Sequence, residues 1–163
     1  MHFEKLAVTD EKELEAMSSM ATEIVREHFD PIIGKAQNDY MIEKFQTVDA
    51  IREQLEQGYE YFFVSDGERR IGFLAFYPRK DVMYISKFYL YKKDRGHGYS
   101  REMMDFVIKN ARDRGFGSIE LNVNRNNSAI YAYEKLGFKV ARMEKKDIGS
   151  GFYMDDYVYS LEI

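Results

Sequence analysis

The chain has 163 residues, 45% hydrophobic and 32% charged, with a net charge of −4 and an isoelectric point near 5.5. That length suits one domain spanning 1–163, and the acidic balance argues against a nucleic-acid partner while mildly favouring a cationic one. Cysteine is absent and the three histidines, His2, His28 and His97, are too scattered for a metal-ligand spacing, so neither a disulfide, a cysteine nucleophile nor a bound metal is expected.

No apolar run approaches a membrane span and residues 1–5 lack a signal-peptide core, so no membrane partner and a cytoplasmic location are expected. Residues 2–9 read as a short strand. Thr9/Asp10 with Glu13 forms a capping-box pattern, and Leu14, Met17, Ala21, Ile24 and Val25 make one helical stripe to about His28. Pro31 and Gly34 are expected to break the chain. A second helical region covers 36–57, interrupted near Thr47, with Ile51 and Leu55 inward and Gly58 as its stop.

The period then switches. Residues 59–65, 71–77 and 82–90 are β-branched and aromatic, and Asp66-Gly67 and the 78–81 turn between them imply antiparallel hairpins. Residues 99–114 read as a helix burying Tyr99, Met103, Phe106, Val107 and Ala111. A strand at 118–124, a short helix at 128–136 and strands at 138–144 and 152–161 complete the chain. The strand–helix–strand unit at 82–124 implies one parallel pair in an otherwise antiparallel sheet.

Between the third of those strands and the next helix lies Lys92-Lys93-Asp94-Arg95-Gly96-His97-Gly98-Tyr99-Ser100. A helix start offers unpaired N–H groups and a positive dipole end, glycines admit an anion to the backbone, and three basic residues add charge. The segment is not a Walker A loop, which needs Gly-Lys-Ser/Thr, and Arg101 stands where a dinucleotide fingerprint has its third glycine. Arg95-x-x-Gly98-x-Ser100 follows the pyrophosphate loop of CoA-dependent N-acyltransferases, Gln/Arg-x-x-Gly-x-Gly/Ala, except at Ser100. An ordinary helix start with a solvated basic loop is the other reading.

A second motif runs from Asn126 through Ser128, Ala129, Ile130, Tyr133 and Gly137 to Phe138. It resembles the Asn-x-x-Ala-Ile-x-x-Tyr-x-x-x-Gly-Phe signature of the GNAT superfamily at every anchor. With both motifs in order, residues 59–163 resemble that family, and His28–Leu55 with Met154-Asp155-Asp156-Tyr157 is similar to bacterial polyamine acetyltransferases. The resemblance implies an α/β (α+β) GNAT fold, a mixed, mostly antiparallel seven-stranded sheet with helices on both faces. It also implies an acetyl-CoA-dependent N-acetyltransferase without metal, whose partner is a small-molecule amine such as a polyamine, and it admits a homodimer.

By the same resemblance, backbone groups of Phe88, Tyr89 and Leu90 hold the pantetheine. Arg95, Gly96, His97, Gly98, Tyr99 and Ser100 cradle the pyrophosphate, and Asn126 contacts CoA. Asn126 also fits as a turn residue. Tyr133 is the implied acid for the departing thiolate, a core tyrosine being the alternative reading. The strands at 82–90 and 118–124 should splay at their C-terminal ends to open a pantetheine slot.

No general base can be named, because Ser86, Lys87 and Asn122 stand where relatives carry acids. Glu120 is assigned to the sheet face opposite Asn122, and Asp155 and Asp156 read better as a solvated strand edge than as a substrate anchor. Acetylation of a protein N-terminus or lysine, and acyl-CoA sensing without turnover, are the competing functions.

Overall fold

The computed structural model describes all residues, 1–163. Asp10 caps the first long helix by accepting the Glu13 N–H at 3.2 Å, but the box is not closed. The Glu13 carboxylate turns instead to Arg70. In chain order the elements are β1 (His2–Lys5), α1 (Glu11–Ile33), α2 (Lys35–Phe45), α3 (Val48–Glu56), β2 (Glu60–Asp66), β3 (Arg69–Arg79) and β4 (Val82–Leu90). They continue with α4 (Tyr99–Asp113), β5 (Ser118–Asn124), α5 (Ala129–Lys135), β6 (Lys139–Gly149) and β7 (Phe152–Glu162).

The helical region expected over 36–57 is two helices, with Thr47 capping the second through the Ala50 N–H at 3.1 Å. Neither proline marks a turn. Pro31 lies in the last turn of α1, which ends at Gly34, and Pro78 lies within β3. Its missing N–H is tolerated because β2 pairs with β3 only as far as Phe76, leaving one side of that stretch open. Strand β6 runs to Gly149, beyond the expected 144: on an exposed edge strand, polar residues such as Lys145 and Lys146 carry no penalty and mask the pattern.

The seven strands lie in the order β1-β2-β3-β4-β5-β7-β6, antiparallel throughout except for β4 beside β5. Helices cover both faces, as the fold expectation had it. On one face Leu14, Met17 and Ile24 of α1 and Ile51 of α3 pack on Tyr61, Phe63 and Phe73. On the other, Met103, Val107 and Ala111 of α4 pack on Leu74, Phe76, Ile119 and Leu121. Each buried Leu, Ile, Val, Met or Phe among them contributes about 1.5–3 kcal/mol on burial. No helix is long and apolar enough to cross a membrane.

Strand β4 changes face partway along. Ala75 pairs with Lys87 but Phe76 pairs with Ile85, so Ser86 is an extra residue, a β-bulge. Before it the odd positions Met83 and Ile85 face α4; after it the even positions Phe88 and Leu90 do. The parallel ladder to β5 stops at the same level, its last pair being Ile85 with Leu121. Beyond that point the two strands are unpaired with each other, as the expected slot requires.

Gly72 of β3 sits against the far end of β4. A Cβ there would lie 2.2 Å from the Tyr89 carbonyl oxygen and 3.0 Å from Leu90 Cα. Gly72→Ala should therefore cost about 1–3 kcal/mol by overpacking, a fall in Tm of roughly 3–10 °C by thermal unfolding. Gly117→Ala, with nothing within 4 Å, should leave Tm within about 2 °C of the parent. Equal Tm for both variants would overturn the close-approach reading of Gly72.

Candidate active site

The divergence of β4 and β5 opens a slot of about 330 Å³. One wall is the end of β4, Phe88 to Leu90, and the facing wall is α5 with Asn127 before it. Tyr91 donates its N–H to Ile71 on β3 at 3.0 Å. The alternation of an extended strand then turns the backbone groups of Phe88 and Leu90 away from β3, toward the slot. The Leu90 carbonyl is met there by Arg95 Nη2 at 3.2 Å.

At the mouth of the slot the chain forms a short 3₁₀ turn, Lys92–Asp94, and then the glycine loop. Asp94 is buried and held by Arg69 through two hydrogen bonds, 2.6 and 3.0 Å. That guanidinium keeps the Asp94 carboxyl below the usual carboxylate range. The Tyr99 hydroxyl donates to Asp66 at 2.6 Å, and Glu27 accepts the Lys92 N–H at 2.7 Å. The loop is thus tied to β3, to the end of β2 and to α1.

Gly96 and Gly98 both have φ +82°, the left-handed region, and Gly98 is the residue before α4 with no side-chain cap. The backbone N–H groups of residues 96–100 form no hydrogen bond within the chain. Five free N–H groups at and just before the start of a fifteen-residue helix are suited to receive an anion.

Of the residues singled out from sequence, Phe88, Tyr89, Leu90, Arg95, Gly96, Tyr99, Ser100 and Tyr133 line the slot together. His97, Gly98 and Asn126 do not; all three are exposed. Asn126 gives its N–H to Asn124 Oδ1 at 2.9 Å, a local turn. The neighbouring Asn127 is the asparagine of the slot. Its Oδ1 accepts the Ala129 N–H at 2.9 Å and meets His28 Nε2 at 3.1 Å. An accepting oxygen assigns the proton to Nε2. Burial lowers the His28 pKa, with Arg95 adding to the effect, so the ring stays neutral and α1 is fastened to the far wall. Periodicity gave no signal for this pair, which is ninety-nine positions apart in sequence.

Tyr133 lies between Phe88 and Phe138, ring centroids at 6.0 and 5.8 Å. Its hydroxyl has no partner within the chain, and burial pushes its pKa above the usual phenol value. From here a narrow throat of about 40 Å³, lined by Phe29, Ser86, Lys87, Asn122 and Tyr133 among others, passes between the splayed strands. It shares Phe29, Ser86, Lys87 and Asn122 with a basin of about 250 Å³ on the opposite sheet face, walled by Tyr59, Tyr77 and Tyr84.

Two charged groups in the basin are buried. Asp156 is 4% exposed, which corrects the solvated-edge reading of this residue, and its Oδ2 accepts from Asn122 Nδ2 at 3.2 Å. Asn122 Oδ1 in turn accepts from the Tyr84 hydroxyl at 2.7 Å. Burial raises the Asp156 pKa against the lowering effect of Asn122, with Glu144 and Asp155 adding to the rise. Asp155 itself is half exposed and pairs with Arg125 at 3.5 Å. Glu120 shares the face of Asn122, because residues two apart on a strand point the same way; Arg142 holds it at 3.0 Å.

Lys87 is the second buried charge, 7% exposed. Its one polar partner is the Tyr61 hydroxyl at 3.4 Å, and burial alone brings its pKa down to about 8. From sequence it was legible only as the position where relatives carry an acid.

A family profile described as an acetyltransferase (GNAT) domain matches residues 16–154. No curated protein sequence is a significant match. Among solved structures the chain is similar to the PaiA N-acetyltransferase from Thermoplasma acidophilum, crystallised with coenzyme A, at 18% identity, TM-score 0.76 and full coverage of both chains. It is similar also to a GCN5-related N-acetyltransferase from Rhodopseudomonas palustris, at 11% identity and TM-score 0.80 over 99% of this chain and 95% of that one. The ribosomal-protein-S18-alanine N-acetyltransferase from Escherichia coli matches at 18% identity and TM-score 0.68 over 99% and 93%. At these identities the likeness is one of fold.

The buried Lys87 has a consequence for stability. Its pKa of about 8 lies below the ordinary 10.5, so between those values the unfolded chain binds more protons and stability rises with pH. Below about pH 8 the full penalty applies, about 3 kcal/mol. Lys87→Met should be more stable than the parent by roughly 1–3 kcal/mol at pH 7, with the gain shrinking near pH 10. Denaturant unfolding at both pH values measures this; a gain independent of pH would show that Lys87 is not the cause.

Proposed function

Because the chain belongs to the GNAT family of acetyltransferases, we propose that its slot binds acetyl-CoA, its basin binds a primary amine, and Tyr133 supplies the proton needed at sulfur. The observation that carries this reading is the throat: it joins an anion cradle and apolar slot on one sheet face to a polar basin on the other, with Tyr133 beside it. When bound, acetyl-CoA supplies an activated thioester. The chain does the rest by position and charge.

The free N–H groups of residues 96–100 and the Arg95 guanidinium suit a pyrophosphate. Gly98 and His97 serve it through the backbone, since neither lines the slot. Apolar walls and the unpaired amides of Phe88 and Leu90 suit a pantetheine arm, and one of those amides can stabilise charge at the thioester oxygen. Of the positions carried over by family likeness, Asn126 has the least support, and we assign its contact to Asn127.

Tyr133 Oη holds its proton throughout the neutral range. A phenol lies only about 2 kcal/mol from a thiol in acidity, and desolvation in one slot raises both together, so the gap stays small. An alkylammonium withholds its lone pair by about 4–5 kcal/mol at pH 7, and a base must take that proton. Asp156 is the carboxylate available in the basin, and its raised pKa makes it a stronger base than a solvated aspartate.

A polyamine acceptor, the finer reading from sequence likeness, draws support from Asp156 and from the aromatic walls, which favour cations. Three cationic side chains on the same lining, Arg79, Lys87 and Lys146, weigh against it.

Tyr133→Phe should lower kcat by about ten- to a thousand-fold while leaving acetyl-CoA affinity and Tm nearly unchanged. Thiol release and calorimetric titration measure the two; unchanged kcat would leave water as the proton donor. Gly98→Val should raise the acetyl-CoA Kd by about ten-fold or more, because a β-branched residue resists φ +82°, whereas Gly98→Asn, which tolerates that region, should bind nearly as the parent. Equal binding by all three proteins would remove the cradle assignment.

A further inference from the structure

We propose that the acceptor bound in the basin carries an anionic group as well as its amine, so that the substrate is an acid-bearing amine of the amino-acid type and not a polycation. This rests on the acetyl-transfer reading of the site and narrows it.

The charge inventory of the basin points this way. Its lining holds three cationic side chains, Arg79, Lys87 and Lys146, against one carboxylate, Asp156. On the same strand as Arg79, the arginines at 69 and 70 are each held by a carboxylate, Asp94 and Glu13. Arg79 is not. Its guanidinium lies 3.7 Å above the Tyr84 ring and gives one hydrogen bond, 2.6 Å, to the Tyr77 hydroxyl. That leaves most of a five-donor fork unused, the group whose geometry matches a carboxylate or phosphate.

Lys87 makes the stronger case because it is buried. An ammonium out of water without a counter-ion is destabilised, and proteins keep such groups where they are paired or where function uses them. Lys87 has three donors and one partner, the Tyr61 hydroxyl at 3.4 Å. No carboxylate compensates it, and burial is the sole cause of its lowered pKa. An anionic substituent on the acceptor would supply the missing partner.

The opposite polarity is present on the same lining. Asp156 is a buried carboxylate, and Asn38 Oδ1 is a buried acceptor without a partner. The Asn38 amide cannot simply be turned over, because its Nδ2 is fixed by the Val25 carbonyl at 3.1 Å and Asp30 at 2.7 Å. The lining thus combines acceptor oxygens from β7 and α2 with cationic groups from β3, β4 and β6. A lining of mixed charge complements a molecule that carries a positive and a negative group. A diamine would satisfy Asp156 and bring its second ammonium against Lys87 and Arg79.

Matched acceptors separate the two. With CoA present at saturation, calorimetric titration of 4-aminobutyrate, 1,4-diaminobutane and 2-aminoethyl phosphate measures binding, and thiol release from acetyl-CoA measures transfer. The acid-bearing amines should bind at least about ten-fold more tightly than the diamine, and the comparison of carboxylate with phosphate identifies which anion is preferred. Arg79→Gln and Lys87→Met should each bring the ratio of acid-bearing to diamine affinity down by about ten-fold. Arg79→Gln keeps the test independent of any change that Lys87→Met makes at the throat. Tighter binding of the diamine, or a ratio that neither variant changes, would overturn the proposal. Preferential binding of the acid-bearing amine without thiol release would uphold it and overturn the transfer reading instead.

Discussion

Four residue pairs of parallel ladder join β4 to β5, and the rest of the site depends on the ladder stopping where it does. The extra residue at Ser86 shifts the alternation of β4, so that Phe88 and Leu90 continue the apolar face that Met83 and Ile85 began. Their backbone groups are left without a β5 partner. In a closed sheet those N–H and C=O groups would be consumed by the ladder. Here the Leu90 carbonyl is taken by Arg95 and the remaining groups are left to serve a ligand, and the gap between strands becomes a passage from one face of the sheet to the other. Gly72 belongs to the same arrangement, since only a residue without Cβ lets β3 approach this end of β4 so closely.

The groups around that passage are held unevenly. The loop side is tethered: Asp94 fastens the loop to β3, Tyr99 to the end of β2, and the His28–Asn127 hydrogen bond joins α1 to the base of α5. An anion site gains from such tethering because its donors need not be ordered on binding. The basin side carries uncompensated charge. Lys87 and Asp156 are both buried, and no ion pair between them relieves either one. That arrangement lowers the stability of the fold and raises the energy available for recognition, the usual relation between a binding site and the scaffold that carries it.

The two faces also divide the chemistry. On the α4 and α5 side the slot is largely apolar, with the Tyr133 hydroxyl unpaired within the chain. On the α1 and α2 side the basin is aromatic and charged. In the proposed reading donor and acceptor therefore approach from opposite faces of the sheet and do not compete for one pocket. Asp156 lines the basin and Tyr133 the slot and throat, so in the proposed reaction the groups assigned as base and acid are kept apart.

The sequence alone determined the strand and helix order, the parallel β4–β5 pair, the glycine loop and the Tyr133 motif. These are local: hydrophobic period, turn chemistry and short motifs are set by neighbours within a few positions. It misplaced the ends of α1 and β6 and misread the two prolines, because a proline in a last helical turn or beside an unpaired strand side costs little. Only the tertiary structure decided which asparagine reaches the slot, which pairs His28 with Asn127, and which carboxylate of Asp155 and Asp156 is buried. The charge of the basin was likewise invisible in a chain of net charge −4, since Arg79, Lys87 and Lys146 come together from three strands. Burial and counter-ion distance set the energy of a charge, and both arise only when segments distant in the chain pack against one another.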